Sequence, residues 1–137
     1  MPVVLLAEDE PDIVRLVTYI LRRDGFLVRT ATTGQEAVEA ARQGEVDLIL
    51  LDIMLPELNG YGVCAALRED PLTRGIPIVV MSARAQAKEV ARGLAAGAVS
   101  YITKPFEPAQ LGEQIRAALA AAAAGRAQGG AGEDLHR

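Results

Sequence analysis

Three acidic residues follow two short apolar runs of this chain. Glu8 and Asp9 come directly after Val3–Ala7, and Asp52 ends a run that begins at Asp47. If the two runs are neighbouring parallel strands, their carboxyl ends place the three carboxylates at one edge of a sheet, where open α/β sheets bind ligands. Clustered carboxylates repel one another and offer only oxygen ligands, so the pattern predicts a Mg²⁺ site.

A lysine and a serine follow two further apolar runs. Lys104 comes after the run at 99–103, and Ser82 ends the run that begins at Ile78. The lysine ammonium and the serine hydroxyl can each bind a phosphoryl oxygen, and a carboxylate such as that of Asp52 can accept the phosphoryl group itself. With Mg²⁺ covering another oxygen, the set predicts metal-assisted phosphoryl transfer to an aspartate.

Each of these residues has a simpler interpretation when it is taken alone. Glu8 and Asp9 could belong to a solvated acidic loop, Asp52 could be only a third metal ligand, and a serine after a strand is more often a helix cap. A lysine before a proline is more often part of a loop. The four run ends taken together favour one site.

Five short apolar runs alternate with helical segments and must position these residues. We predict strands near 3–7, 26–31, 47–51, 77–81 and 99–103. This alternation is typical of a parallel sheet covered by helices on both faces. The predicted fold class is therefore α/β, doubly wound around a five-stranded parallel sheet.

The first three helices have clear sequence signals. The first begins near Pro11, ends before Gly25 and carries an apolar stripe that we expect in the core: Ile13, Leu16, Val17, Ile20 and Leu21. The second is predicted to begin at Thr33, with Glu36 completing a capping box. The third is predicted to span 61–69.

The last two helices are less regular. The fourth, near 86–96, contains Gly93 and offers a predicted buried stripe of mostly small side chains: Ala87, Val90, Ala91 and Leu94. Because small residues bury little area and an interior glycine costs about 0.5–1 kcal/mol, we expect this helix to be the most weakly held element. The fifth ends in an alanine run, so we predict a domain over 1–124 and a flexible tail over 125–137.

The composition excludes several function classes. The chain has 137 residues and a formal net charge of −4, which argues against direct binding to nucleic acid or to anionic membranes. Cys64 is the single cysteine, so no disulfide can form within the chain. The amino-terminal residues lack a signal-peptide pattern, and we expect a cytoplasmic protein.

Four motifs in this order and spacing resemble those of response-regulator receiver domains from two-component systems, over about 3–120. They lie at 6–13, 52–60, 81–83 and 101–106. The resemblance implies a flavodoxin-like (βα)5 fold with strand order 2-1-3-4-5, an order for which a bacterial chemotaxis regulator is a standard example.

The resemblance also implies a role for each acidic residue. Glu8 and Asp9 would form the acidic pair at the metal. Asp9, Asp52 and the Met54 carbonyl would contact Mg²⁺. Asp52 would accept a phosphoryl group from a histidine kinase or a phosphotransfer protein.

The remaining motif residues would couple that group to an output surface. Lys104, in a cis peptide with Pro105, would pair with the phosphate, Ser82 would be the switch hydroxyl and Tyr101 the switch aromatic. Without the family, half-buried packing is the simpler interpretation of Tyr101. The output surface would be the face of the fourth helix, fifth strand and fifth helix, which would bind a downstream protein, in a monomer or a phosphorylation-dependent dimer.

The chain departs from the family pattern at two places. Glu8 stands where aspartate is more usual, which lengthens one arm of the metal site and should alter metal affinity only modestly. Val99-Ser100 stands where acids are common, so the surface near the fifth strand is less negative and the identity of the partner is in doubt.

Other function classes fit less well. A phosphatase of the haloacid dehalogenase type would need a second aspartate at the position of Met54, and a flavodoxin would not place Glu8 and Asp9 where a flavin phosphate binds. We therefore expect no enzyme beyond the chain's own phosphorylation and dephosphorylation. We favour a stand-alone receiver, with the receiver portion of a longer regulator as the alternative.

Overall fold

The computed structural model describes residues 1–84 and 86–136, with side chains for 1–84 and 86–125. Within that part of the chain, strands alternate with helices. The strands are β1 (Val3–Ala7), β2 (Leu27–Ala31), β3 (Leu48–Asp52), β4 (Ile78–Ser82) and β5 (Ser100–Thr103). The helices are α1 (Pro11–Arg23), α2 (Gly34–Arg42), α3 (Gly60–Glu69), α4 (Ala87–Ala95) and α5 (Pro108–His136). All strand pairs are parallel and the order is β2-β1-β3-β4-β5, which confirms the predicted fold.

The sheet separates two apolar layers because successive strand residues point to opposite faces. In β1, Val4 and Leu6 pack in the layer with α1 and α5, whereas Leu5 and Ala7 pack in the layer with α2 and α3. Every residue of β3 and β4 is buried. The central strands are therefore fixed from both sides, and so are the positions at which they end.

The sequence predicted α1 well but placed one of its residues wrongly. Val17, Ile20 and Leu21 are buried as expected, whereas Leu16 remains 43% exposed. A helix turns 100° per residue, so a stripe of five residues is wider than the strip that the sheet and α5 cover. Leu16 lies at the uncovered margin.

The capping of α2 follows the prediction in part. The Thr33 hydroxyl accepts a hydrogen bond from the Glu36 backbone N–H at 3.1 Å. The Glu36 carboxylate, however, accepts from the N–H and hydroxyl of Thr32, at 3.3 and 3.1 Å, rather than from Thr33. The capping box is thus displaced by one residue on its carboxylate side.

The predicted buried stripe of α4 is wrong. Ala87, Ala91 and Leu94 are exposed, and Gly93 is the buried residue of this helix. A β-carbon at Gly93 would lie 2.9 Å from the Tyr101 ring, so the glycine lets the helix backbone approach that ring. The helix therefore buries even less apolar area than expected.

The end of the chain was predicted as a flexible tail. The helix α5 is assigned from Pro108 to His136, beyond the end expected near residue 124. The predicted tail, 125–137, falls almost wholly outside the residues whose side chains are described, so its flexibility stays a prediction. Within the described part of the chain, none of the helices is long and apolar enough to cross a membrane.

Gly34, the first residue of α2, touches the segment that leads from β3 to α3. A β-carbon there would lie 1.8 Å from the Leu58 carbonyl oxygen, which is backbone and cannot rotate away. We expect Gly34→Ala to lower the free energy of unfolding by at least about 2 kcal/mol in urea titrations. Gly75→Ala is the control: nothing lies within 4 Å of that β-carbon, and a change below about 0.5 kcal/mol is expected. Equal changes in the two variants would contradict this packing.

Candidate functional site

The acidic residues meet where β1 and β3 end. These strands are neighbours, with Ala7 in register with Leu51, so Glu8 and Asp9 emerge beside Asp52. Carboxylate oxygens of the three residues lie within 4.8 Å of one another. Glu8 and Asp52 are buried and Asp9 is exposed. The cluster predicted from the sequence is therefore formed by the fold.

Both oxygens of the buried Glu8 carboxylate are engaged. Oε1 accepts a hydrogen bond from Lys104 Nζ at 2.7 Å. Oε2 accepts from the backbone N–H groups of Asp9 and Glu10, at 3.0 and 3.3 Å. These donors compensate the burial of a charge that would otherwise be costly.

Asp52 is held by its own loop and by the same lysine. Its Oδ1 accepts a hydrogen bond from the Met54 backbone N–H at 3.0 Å, and its Oδ2 lies 3.4 Å from Lys104 Nζ. The ammonium is thus nearer to Glu8 than to the carboxylate predicted to accept phosphate. One cation bridges two buried carboxylates.

The pKa of Glu8 is raised from 4.5 to about 6. Burial is the main cause; the hydrogen bond from Lys104 opposes it, and the neighbouring Asp52 carboxylate adds to it. Burial lowers the pKa of Lys104, but its bond to Glu8 and the Asp52 charge outweigh burial, so that pKa is raised overall. The lysine is therefore a permanent cation of the site.

Lys104 is positioned by the end of β5. Thr103 is in register with Ser82, and the Lys104 backbone N–H donates to the Ser82 carbonyl at 2.7 Å. The Lys104–Pro105 peptide is cis, as predicted. The lysine, the serine and the acids thus lie along one edge of the sheet.

Ser82 and Tyr101 are joined through a residue that the sequence reasoning missed. The buried Ser82 hydroxyl accepts a hydrogen bond from the Arg84 backbone N–H at 3.1 Å. The Tyr101 hydroxyl donates to the Arg84 carbonyl at 2.8 Å, and its ring packs partly buried against the core. The sequence signal for this role is the position of Arg84, because a serine hydroxyl at a strand end can accept a hydrogen bond from the backbone N–H two residues later.

Comparison with known proteins agrees with this geometry. Residues 4–116 match the family model of the response regulator receiver domain. The chain belongs to this family. The receiver is also similar to solved structures: a putative response regulator from Chloroflexus aurantiacus matches with a TM-score of 0.83 and 32% identity, over 88% of this chain and 99% of that one.

A second solved relative of this receiver carries a metal. It is the receiver domain of a sensor histidine kinase from Pseudomonas aeruginosa, with a magnesium ion coordinated in its active-site cleft. It matches with a TM-score of 0.81 and 31% identity, over 87% of this chain and 98% of that one.

Longer proteins also contain similar receivers. The DNA-binding response regulator MtrA of Mycolicibacterium smegmatis is 40% identical over 116 residues, which cover 85% of this chain and 50% of MtrA. The alkaline phosphatase synthesis transcriptional regulatory protein PhoP of Bacillus subtilis is 40% identical over 116 residues, which cover 85% of this chain and 48% of PhoP. This receiver spans about half the length of the curated relatives it matches.

The raised pKa of Glu8 gives a pH dependence of defined sign. The folded protein binds this proton more tightly than the unfolded chain, so the contribution of Glu8 to stability falls as pH rises from 4.5 to about 6 and is lost above that. We expect the free energy of unfolding of wild type, minus that of Glu8→Gln, to fall by roughly 2 kcal/mol across this range in metal-free buffer. Urea titrations at several pH values measure it. A difference that does not vary with pH would contradict the raised pKa.

Proposed function

We propose that this receiver accepts a phosphoryl group on Asp52 from a histidine kinase or a phosphotransfer protein, in a Mg²⁺-dependent step. The observation that carries the proposal is the buried Asp52 carboxylate at the end of β3, with Lys104 at 3.4 Å and the acidic pair beside it. A carboxylate in this position can act as a nucleophile, while Lys104 stabilises the negative charge of the phosphoryl group.

The donor set fits a hard divalent cation. Three carboxylates lie within 4.8 Å of one another, and among the described residues Lys104 is paired with two of them, which leaves an excess of negative charge and oxygen ligands. Glu8, Asp9, Asp52 and the Met54 carbonyl would hold the ion. When bound, Mg²⁺ neutralises charge on the phosphoryl oxygens.

The chain's own residues supply the rest of the reaction. An Asp52 oxygen forms the new bond to phosphorus while the phosphorus–nitrogen bond of the donor phosphohistidine breaks and its electron pair leaves with the imidazole. Lys104, already 3.4 Å from Asp52, pairs with one phosphoryl oxygen. The Ser82 hydroxyl turns from the Arg84 N–H to donate to another. Each group is held at a strand end, so little reorganisation is needed.

We further propose that phosphorylation alters the face formed by α4, β5 and α5. Movement of the Ser82 hydroxyl would release the Arg84 backbone, to which Tyr101 is bonded. The helix α4 buries little, so a small difference in free energy can move it. That face would bind a downstream protein, in a monomer or a phosphorylation-dependent dimer.

The setting of the receiver is part of the same proposal. We favour a stand-alone cytoplasmic receiver that acts through protein contacts and does not itself bind nucleic acid. The alternative is the receiver portion of a longer regulator, which the DNA-binding and transcriptional relatives favour.

Asp52→Asn should remain folded and lose phosphorylation. The amide keeps the shape of the carboxylate but is a poor nucleophile, and intact-protein mass spectrometry after incubation with acetyl phosphate and Mg²⁺ measures the product. Asp47→Asn is the matched control, since Asp47 is exposed and its carboxylate accepts a hydrogen bond from the Val3 backbone N–H, away from the acidic cluster. Phosphate incorporation at the wild-type level in Asp52→Asn would refute the acceptor role.

The same samples test the output face. Hydrogen exchange in the wild type should change over 82–106 after phosphorylation and stay nearly constant over 11–24, and Asp52→Asn should show neither change. Changes confined to α1 and α2 would move the output face elsewhere.

The metal assignment predicts a difference between Asp9 and a distant carboxylate. Removing one of three clustered charges relieves repulsion, so Asp9→Ala should melt at a higher temperature than wild type in chelator and gain less from millimolar Mg²⁺. Glu113→Ala, which loses an exposed carboxylate on α5, should respond to Mg²⁺ as the wild type does. An equal Mg²⁺ shift in all three proteins, measured by thermal unfolding, would exclude Asp9 from the site.

A further inference from the structure

A pocket of about 260 Å³ lies between the segments that follow β3 and β4. One wall is formed by residues 53–55, which directly follow Asp52, and the Met54 N–H donates to Asp52 Oδ1 at 3.0 Å. Arg84 forms part of the opposite wall, and its N–H is bonded to the Ser82 hydroxyl. The pocket therefore adjoins both the acceptor carboxylate and the serine that would bind its phosphoryl group.

The lining of this pocket is mixed, and its polar part contains two guanidinium groups. Arg84 and Arg92 both line it, together with Asn59 and Tyr61. The Arg92 guanidinium stacks on the Tyr61 ring, 3.8 Å from its centroid. The two arginines therefore give this pocket positive charge, next to the acidic cluster of Glu8, Asp9 and Asp52.

The ion pair that Arg84 forms with Glu89 is long and compensates its charge only weakly. Glu89 lies 3.7 Å from the Arg84 guanidinium, which is beyond hydrogen-bond distance, and it accepts a bond from the Tyr61 hydroxyl at 3.1 Å. The N–H donors of Arg84 are therefore not committed to Glu89. They can turn to an anion in the pocket.

The backbone of Arg84 is anchored on both sides. Its N–H is bonded to the Ser82 hydroxyl at 3.1 Å and its carbonyl to the Tyr101 hydroxyl at 2.8 Å. The backbone position from which the Arg84 side chain extends is therefore fixed relative to Asp52, although about half of the side chain is exposed. A charge held in this way can act on a specific part of a bound donor.

We propose that Arg84 is a specificity-determining residue that favours phosphoryl donors with a carboxylate leaving group, namely acyl phosphates. The inference rests on the proposed acceptor role of Asp52. Arg84 stabilises the carboxylate that departs into the pocket, and Arg92 supports the same charge. Donors whose leaving group is neutral, such as phosphoramidate or a phosphohistidine, gain nothing from it.

The step balances with the groups named. An Asp52 oxygen forms a bond to phosphorus while the bond from phosphorus to the acyl oxygen breaks, and its electron pair leaves with acetate. No proton is transferred. With phosphoramidate the phosphorus–nitrogen bond breaks instead, and ammonia leaves with the three protons that its nitrogen already carries.

The test compares two donors on four proteins. Initial rates of Asp52 phosphorylation, by intact-protein mass spectrometry at constant Mg²⁺ and ionic strength, are measured with acetyl phosphate and with phosphoramidate. Arg84→Gln should lower the acetyl phosphate rate by about threefold to fivefold and leave the phosphoramidate rate unchanged, the size of a solvent-screened charge effect. Glu89→Gln should raise the acetyl phosphate rate by about twofold, because it removes the carboxylate that is paired with Arg84 at 3.7 Å.

Arg74→Gln is the control for lost charge, since Arg74 is an exposed arginine outside the pocket. It should leave both rates at the wild-type level. Sodium acetate should slow the acetyl phosphate reaction of wild type more than sodium chloride at equal concentration, and should lose this excess effect in Arg84→Gln.

The donor selectivity of Arg84 and the acceptor role of Asp52 can fail independently in these measurements. If wild type reacts with both donors and Arg84→Gln changes the two rates by the same factor, or changes neither, Arg84 does not select the leaving group. The same conclusion follows if Arg74→Gln behaves like Arg84→Gln. If wild type reacts with neither donor, the acceptor role of Asp52 fails and the inference fails with it.

Discussion

The arrangement depends on one ammonium group placed among three carboxylates. Lys104, which follows β5, lies 2.7 Å from Glu8 and 3.4 Å from Asp52, and it opposes the negative charge that β1 and β3 bring to the buried end of the sheet. Removing the lysine would leave the two buried carboxylates uncompensated, and the loss of one partner of a buried ion pair is strongly destabilising.

Glu8 stands where the family more usually has aspartate, and its carboxylate is fully engaged in hydrogen bonds. Its two oxygens are used by Lys104 and by two backbone N–H groups, while burial raises its pKa to about 6. The residue thus serves first to hold the lysine and the turn after β1. Asp9 is exposed, so its carboxylate adds negative charge to the site without being buried as that of Glu8 is. The two members of the acidic pair therefore have unequal roles in stability, although they adjoin in sequence.

Sequence patterns predicted the five strands and the acids at their ends, whereas the strand order that brings those ends together was implied by the family resemblance. They failed where packing decides. Leu16 belongs to the apolar stripe of α1 but lies at its uncovered margin, and α4 turns Gly93, rather than Leu94, toward the core. The role of Arg84 could not be predicted from its residue type, because its bonds to Ser82 and Tyr101 use main-chain atoms; only its position two residues after Ser82 indicated it.

The two bonds that anchor Arg84 place no demand on its side chain. Both of its anchoring bonds use the peptide groups of the residue, so every amino acid except proline could retain them. The side chain at this position can therefore change in charge and size while the link between the Ser82 hydroxyl and the Tyr101 ring persists. Chemical preference and mechanical coupling occupy the same residue but separate atoms, and mutation can alter the first without disturbing the second.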